Sequence, residues 1–171
     1  MLKTVLLFRH AKSSRDDPAA ADFDRPLAKR GRRDAPRMGK WMREAGIEPD
    51  LILCSDAKRA RETWHGLSQT LHSTAPVLFE RGLYLAGAKV LSNRLRRLTG
   101  NINSVLVIAH NPGLEEVAQA LSDRRGEAFE RLRLKFPTAA LARLDFKLDD
   151  WSKLEMGSGR LTLIVTPADL G

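Results

Sequence analysis

The sequence predicts an α/β fold, a three-layer α/β/α sandwich built on a mostly parallel sheet with an antiparallel edge. Three short segments, at residues 5–8, 51–53 and 105–108, are apolar throughout, which is typical of strands covered by helices on both faces. Stretches with helical spacing of apolar residues separate these segments. Two strand-like segments near the end of the chain have no helical pattern between them, which predicts an antiparallel pair. The length of 171 residues suits one domain over residues 1–171.

The first half of the chain predicts two helices. A polar connection over residues 11–26 follows the first strand, and loops of that length are more often functional than idle. The next helix begins at Leu27 or at Asp34 and extends to residue 45, where Gly46 ends it. Pro36 lies either in the first turn of this helix or at a kink in a longer one. A second helix follows Arg59 and continues to residue 71.

The second half predicts two further helices and the antiparallel edge. Residues 79–85 form a short extended piece, and residues 89–98 form a helix that Gly100 ends. After the third strand, Asn111 is expected to cap a helix whose first position is Pro112. Residues 140–146 and 161–165 form the two edge strands, joined by a polar stretch.

The chain is basic, with a net charge of +8 from 29 Lys and Arg against 21 Asp and Glu. A basic surface attracts anions in general, so phosphorylated substrates, acidic proteins and nucleic acid all suit it. The sequence contains no motif that combines aromatic and basic residues for base recognition, so nucleic acid is the less expected partner.

We expect a cytoplasmic protein that has no membrane segment, cofactor or metal. No apolar run approaches the ~18 residues of a membrane span, and no leader of the secretory type is visible. The lone Cys54 excludes an internal disulfide and fits a reducing compartment. There is no HExxH or CxxC motif, no cluster of aspartate ligands and no Walker loop.

The predicted strands end on residues that suit phosphate chemistry. Arg9 and His10 follow the first strand, Arg59 lies shortly after the second, and His110 follows the third. In parallel sheets ligands bind beyond the carboxyl ends of the strands, where residues distant in sequence meet. Two imidazoles and two guanidiniums are therefore expected to face one cavity.

His10 is the predicted nucleophile. A neutral imidazole can attack phosphorus and hold the group as a phosphohistidine. Arg9 and Arg59 would lower the pKa of His10 by repulsion and would bind the phosphoryl oxygens through their planar forks. His110 would donate a proton or a hydrogen bond to the phosphoryl group. The alternative for each histidine is a purely structural cap on a strand end.

These residues resemble the signatures of the histidine phosphatase (phosphoglycerate mutase-like) superfamily. Arg9-His10-Ala11 resembles its Arg-His-Gly motif, with Ala11 in place of glycine, and residues 55–63 resemble its Ser-x-x-x-Arg-Ala-x-x-Thr segment. Further segments are similar to the SixA-type phosphohistidine phosphatase branch, namely residues 24–27 with Gly31, 83–86, 110–112 and 136–139.

The resemblance implies cofactor-independent hydrolysis of a phosphate ester or phosphoramidate. His10 would be the nucleophile, Arg9, Arg59 and His110 would form the phosphate pocket, and Ser13 would be a lesser contact. Larger members of the superfamily place an acidic proton donor between the second and third strands. In this sequence Glu80 is the only carboxylate near that place, so it is the candidate donor, with a structural role as the alternative.

The lack of a clear proton donor favours a phosphohistidine substrate. An alkoxide leaving group needs an acid, whereas the imidazole of a phosphohistidine leaves as a neutral group once its ring is protonated. We therefore expect a phosphohistidine-bearing protein as the substrate. The alternatives are a phosphatase for a small phosphorylated metabolite and, outside enzymes, a phosphate-binding or nucleic-acid-binding module.

Overall fold

The computed structural model describes residues 2–171 and is built on one six-stranded sheet. The strands are β1 (Leu2–Arg9), β2 (Leu51–Ser55), β3 (Val77–Glu80), β4 (Ser104–Ala109), β5 (Leu141–Lys147) and β6 (Arg160–Val165). Their order across the sheet is β3-β2-β4-β1-β5-β6. The first four of these run parallel to their neighbours, and β5 pairs antiparallel with both β1 and β6. The predicted mostly parallel sheet with an antiparallel edge is confirmed.

Five α-helices cover the two faces of the sheet. They are α1 (Lys29–Glu44), α2 (Lys58–Leu71), α3 (Ala88–Arg96), α4 (Gly113–Leu121) and α5 (Glu127–Leu134). Helices α1 and α2 pack over one face on residues such as Phe8 and Ile108. Helices α3, α4 and α5 pack over the other face on residues such as Leu7 and Val107. Neighbouring residues of β1 and β4 point to opposite faces and both faces are covered, which is why residues 5–8 and 105–109 are all apolar. The three-layer sandwich is confirmed.

Three details of the predicted elements are wrong. Helix α1 begins at Lys29, so Pro36 lies inside the helix and neither of the predicted starts is correct. Residues 79–85 are extended only as far as Glu80, after which a 3-10 turn begins. Helix α4 begins at Gly113 after Pro112. Asn111 still accepts the backbone N–H of Glu115 at 3.2 Å, which serves the first turn of the helix from one position further out than predicted.

Helix α5 has no counterpart among the predicted elements. It has eight residues, and only Phe129 and Leu132 within it are buried. Four apolar residues on a short, charged segment give too weak a period to identify a helix from sequence. Its packing against β6 is what stabilises it.

Two glycines allow the helices to approach the loops that carry the site. A Cβ atom at Gly31 in α1 would lie 2.2 Å from the carbonyl oxygen of Lys12, two residues after His10. A Cβ atom at Gly113 in α4 would lie 1.8 Å from the carbonyl oxygen of Ala86. Larger residues at these positions would push the helices away from the carboxyl end of the sheet. Over residues 2–171, none of the helices is both long and apolar enough to cross a bilayer.

Candidate active site

The carboxyl ends of the central strands bring the predicted residues together. His10 directly follows β1 and His110 directly follows β4, two parallel strands that are adjacent in the sheet. The register pairs Arg9 with Ala109, so the two histidines leave the sheet side by side. Their ring centroids are 5.2 Å apart. Arg59, in the first turn of α2, reaches the same place from the neighbouring strand β2.

The hydrogen bonds of His10 determine which nitrogen carries the proton. Nδ1 lies 2.7 Å from the carbonyl oxygen of Ala11, and a carbonyl can only accept, so Nδ1 is the protonated nitrogen. Nε2 is then the nitrogen with the free lone pair, and it accepts a hydrogen bond from Nε of Arg59 at 3.3 Å. The ring is buried, with 7% of the residue exposed. His10 therefore presents an unprotonated Nε2 beside a guanidinium.

Burial is the main reason why His10 stays neutral. It lowers the pKa of His10 to about 4, with further lowering by the charges of Arg59, Arg9 and Arg25, while the bond to Ala11 opposes the shift. The sequence predicted a lowered pKa from repulsion by Arg9 and Arg59. Both arginines do contribute, but the larger cause is loss of solvation, which only the packed structure provides.

Arg59 is held in place by a loop residue. Its Nη1 donates to the carbonyl oxygen of Asp22 at 2.7 Å, and its Nη2 donates to the carboxylate of Asp22 at 3.0 Å. With Nε directed at His10, the guanidinium is fixed on three sides. Arg59 is 3% exposed, so this ion pair is largely shielded from water on the arginine side.

Arg9 is half-buried beside the same pocket, with part of its donor capacity unused. Its Nη1 donates to the carbonyl oxygen of Phe136 at 3.1 Å. Its Nε is buried and has no hydrogen-bond partner among residues 2–171. Burial lowers the pKa of Arg9, opposed by the charge of Glu115. A buried N–H without a partner is costly, and an anionic ligand would satisfy it.

His110 is neutral and also has an unused ring nitrogen. Its Nε2 lies 2.7 Å from Oγ of Ser55, the last residue of β2. Its Nδ1 is buried and has no partner within the part of the chain that the structure describes. Burial lowers the pKa of His110 to about 3, and the nearby His10 and Arg59 lower it further. If the Ser55 hydroxyl donates to Nε2, the proton of His110 lies on Nδ1 as an unsatisfied donor.

Comparison with known proteins identifies the family. The model of the histidine phosphatase superfamily (branch 1) matches residues 5–84. The phosphohistidine phosphatase SixA of Escherichia coli is 32% identical over 116 residues, which cover 63% of this chain and 67% of that protein. The chain belongs to branch 1 of the histidine phosphatase superfamily. An uncharacterised protein of Mycobacterium leprae is 36% identical over 166 residues, covering 93% of this chain and 99% of the relative.

Solved structures of SixA proteins share the fold of this histidine phosphatase family member. A proposed phosphohistidine phosphatase SixA from Nakamurella multipartitia has a TM-score of 0.85 and 26% identity, covering 98% of this chain and 97% of that one. The protein histidine phosphatase SixA in complex with tungstate has a TM-score of 0.80 and 26% identity, covering 98% and 99%. The predicted resemblance to the SixA-type branch is confirmed.

Two residues of this histidine phosphatase site were not singled out from the sequence. The Asp22 carboxylate accepts hydrogen bonds from Arg59, from Nε of Arg25 at 3.1 Å and from the hydroxyl of Tyr84. These bonds, with that of Tyr84 the largest, hold the pKa of Asp22 well below its usual range. The Tyr84 ring lies edge-on to His110 at 5.4 Å. Tyr84 lies in a motif similar to the SixA branch, whereas nothing in the sequence distinguishes Asp22 from the other loop aspartates.

Ser13 and Glu80 do not contact the two histidines in the described residues. Oγ of Ser13 accepts a hydrogen bond from Nη1 of Arg25 at 2.9 Å, so it acts on the pocket through that arginine. Both carboxylate oxygens of Glu80 accept from Arg94, each at 2.8 Å. This bidentate ion pair occupies both oxygens of the Glu80 carboxylate. The role of Glu80 as a proton donor stays a prediction.

The site has the geometry of an anion-binding pocket built around an imidazole. Four predicted residues, Arg9, His10, Arg59 and His110, meet at the carboxyl end of the sheet, and two of them carry buried nitrogens without partners among residues 2–171. No group of three or more His, Cys, Asp and Glu side chains within residues 2–171 has the geometry to hold a metal ion. The arrangement suits capture of a phosphoryl group by nitrogen and by guanidinium donors.

Proposed function

We propose that this chain is a phosphohistidine phosphatase that acts on a protein through a covalent phosphohistidine on His10. One observation carries the proposal. The bond from Nδ1 of His10 to the carbonyl oxygen of Ala11 leaves Nε2 unprotonated, next to Nε of Arg59. A pocket that only binds anions would gain nothing from an unprotonated Nε2, since that nitrogen neither donates a hydrogen bond nor carries a positive charge.

In the first step Nε2 of His10 attacks the phosphorus atom. A bond forms between Nε2 and phosphorus, the bond between phosphorus and the substrate imidazole breaks, and its electron pair stays on the substrate nitrogen. A proton already on the other ring nitrogen makes that leaving group a neutral imidazole. The site therefore needs no strong acid for this step, which agrees with the engagement of Glu80 by Arg94.

In the second step a water molecule attacks the phosphorus atom. The bond between phosphorus and Nε2 of His10 breaks, inorganic phosphate leaves, and the second hydrogen of the water passes to solvent. His10 returns to its starting form with Nδ1 still donating to Ala11. Splitting one displacement into two lowers each barrier.

Three neighbouring side chains would stabilise the phosphoryl group during both steps. The transferring group carries its charge on its equatorial oxygens, and fixed donors around these oxygens supply most of the rate. Nε of Arg9 and Nδ1 of His110 are buried and have no partner in the described chain, so an incoming phosphoryl oxygen breaks no bond to reach them. Arg59 would contact the group from the side of His10.

Phosphate release from a phosphohistidine-bearing protein tests the proposal. The native chain should release phosphate, and His10→Ala should reduce kcat/KM by more than about 10³-fold, because the nucleophile is lost. The exposed His65→Ala on α2 is the matched control and should keep the native rate. Release that persists in His10→Ala would overturn the proposal.

A panel of small phosphate esters tests the substrate. We expect kcat/KM for the phosphohistidine protein to exceed that for every ester, since esters need a proton donor and Glu80, the candidate donor, is engaged by Arg94. If one of the esters had the higher kcat/KM, the substrate would be a small phosphorylated metabolite and not a phosphohistidine-bearing protein. Salt-sensitive binding of nucleic acid without any turnover would instead support a binding module.

A further inference from the structure

A basic cleft lies next to the candidate active site and takes no part in the mechanism. It has a volume of about 660 Å³ and lies between α1, α5 and the residues after β6. Five cationic side chains line it: Arg30, Arg33, Arg37, Arg131 and Lys135. We call it the basic cleft.

The positive charge of the basic cleft is only partly neutralised. Three guanidiniums surround one buried carboxylate, with Asp34 lying 3.1 Å from Arg37, 3.7 Å from Arg33 and 3.9 Å from Arg30. The single negative charge of this carboxylate neutralises the charge of only one of the three guanidiniums. Asp169 is the only other carboxylate among the lining residues, and it pairs with Arg131 at 2.9 Å. The cleft therefore carries an excess of positive charge that attracts an anionic partner.

One segment forms a wall that the basic cleft shares with the candidate active site. Thr138 lines the cleft, and its Oγ1 lies 3.4 Å from Nη2 of Arg30. Two residues earlier, Phe136 accepts the hydrogen bond of Arg9 through its carbonyl oxygen. One residue later, Ala139 donates its backbone N–H to the carbonyl oxygen of His10 at 3.1 Å. A surface that docks in the cleft therefore lies beside the nucleophile.

We infer that the basic cleft docks an acidic surface of the histidine-phosphorylated protein and so presents its phosphohistidine to His10. This inference rests on the proposed function. Complementary charge steers association and fixes orientation, which suits a pocket that must receive a side chain from a folded partner. Leu134 lines the same cleft and is 86% exposed, so it offers an apolar contact within the charged surface.

The lining of the basic cleft favours a protein over a nucleic acid. Single-stranded nucleic acid is held by basic grooves that also carry aromatic side chains for base stacking. None of the described lining residues is aromatic, and two of them, Asp34 and Asp169, are carboxylates that repel phosphates. An acidic protein surface can instead leave the positions opposite these carboxylates uncharged.

Two double variants with the same loss of charge test this inference. The test variant is Arg33→Gln with Lys135→Gln in the basic cleft. The control is Arg160→Gln with Lys147→Gln. Lys147 pairs with Leu2 at the start of β1, so the control lies at the opposite end of the sheet from His10. Arg33 and Arg160 are both exposed, and each lies near an aspartate. Because Arg33 lies near Asp34 and Arg160 near Asp123, the two arginine substitutions are made in similar surroundings.

Three measurements are made on each variant. The first is the Kd for an unphosphorylated histidine-phosphocarrier domain of net negative charge, measured by fluorescence anisotropy at low and high salt. The second is kcat/KM for the same domain when phosphorylated. The third is hydrolysis of phosphoramidate, a small substrate that needs no docking surface. The last measurement also reports that the pocket is intact.

We expect the test variant to weaken carrier binding and to lower kcat/KM for the carrier about three- to tenfold at low salt. High salt should remove the difference, and the control variant and phosphoramidate hydrolysis should match the native chain. Equal effects in the two double variants, or no effect in either, would overturn the inference. So would a test variant that loses binding of single-stranded DNA while its carrier binding is unchanged.

A failure of the proposed function would look different. The native chain would then release no phosphate from the phosphorylated carrier. If binding of the unphosphorylated carrier still depended on Arg33 and Lys135, the basic cleft would be supported as a docking surface, and only the proposed reaction would be refuted.

Discussion

Strand β1 carries a cation with buried donor atoms near each of its ends, and the two ends differ in how well those donors are satisfied. Lys3 is completely buried at the start of the strand. Its Nζ donates to the carbonyl oxygens of Gly100 and Ile102, each at 3.0 Å, and to Oδ1 of Asn103 at 2.8 Å. The three donors of the ammonium thus have three acceptors, and Lys3 has no capacity left for a ligand.

Arg9, the last residue of β1, shows the opposite condition. Its Nε is buried without a partner in the described residues, and Nδ1 of the neighbouring His110 is in the same state. Native proteins leave few buried polar atoms unpaired. Burial of a cation therefore does not by itself identify a functional site. Unused donors gathered around one point distinguish the candidate active site from a structural network.

Arg9→Lys gives the largest expected effect and tests the end of β1 that lies at the candidate active site. The substitution keeps the positive charge but removes the planar fork, so kcat/KM for the phosphohistidine protein should fall about 10²- to 10³-fold. The free energy of unfolding should fall by only about 1 kcal/mol, because Nε of Arg9 has no partner in the described residues and the bond from Nη1 to Phe136 is the one that the substitution loses. Steady-state kinetics and urea denaturation measure the two quantities. The exposed Arg61→Lys on α2 is the control, and an equal loss of activity in both variants would refute the assignment of Arg9.

Lys3→Met tests the start of β1, where the cation has a structural role, and has the next largest effect. It removes the three hydrogen bonds that the buried ammonium of Lys3 donates, which should lower the free energy of unfolding by about 3 kcal/mol. The folded fraction should keep its native kcat/KM, since Lys3 lies at the far end of the strand from His10. Urea denaturation monitors stability, with the exposed Lys147→Met as the control at the same end of the sheet. Loss of activity without loss of stability would contradict the purely structural role of Lys3.

The pH dependence of stability provides the smallest effect per residue. Burial lowers the pKa of His10 to about 4 and that of His110 to about 3, below the value of about 6.5 in the unfolded chain. Between these values the unfolded chain binds more protons, so stability falls as the pH decreases. From pH 7 to pH 5 each histidine should remove about 2 kcal/mol from the free energy of unfolding.

A double variant isolates this contribution. His10→Gln with His110→Gln should lose correspondingly less stability than the native chain over the same pH interval, as measured by urea denaturation at both pH values. His65→Gln should follow the native chain, because His65 is exposed on α2. Parallel pH profiles for the native chain and the double variant would show that the two buried histidines do not titrate as stated.

The residues at the ends of the strands were predictable because their signals are local. Continuous apolar runs identify buried parallel strands, and the residue that follows each run must lie at the carboxyl edge of the sheet. His10 and His110 could therefore be brought together without coordinates. Arg59 followed from the same rule and from its place at the start of a helix.

The parts that were missed depend on contacts between distant segments. Asp22 is one of several aspartates in a polar loop, and it becomes part of the site only because α2 brings Arg59 to it. The start of α1 was misjudged because Pro36 is tolerated inside a helix that packs closely on α2. Helix α5 depends on packing against β6 more than on its own short apolar pattern.

By itself the sequence determined the class of fold, the positions of its main strands and the four residues that meet at the carboxyl end of the sheet, since these depend on periodicity and on short motifs. The tertiary structure decided which nitrogen of His10 is free, how far burial lowers its pKa, and which donors remain unused. It also gathered the arginines of α1 and α5 into the basic cleft beside Thr138. Solvation and hydrogen-bond partners depend on what surrounds a side chain in space, and a linear sequence does not state those neighbours.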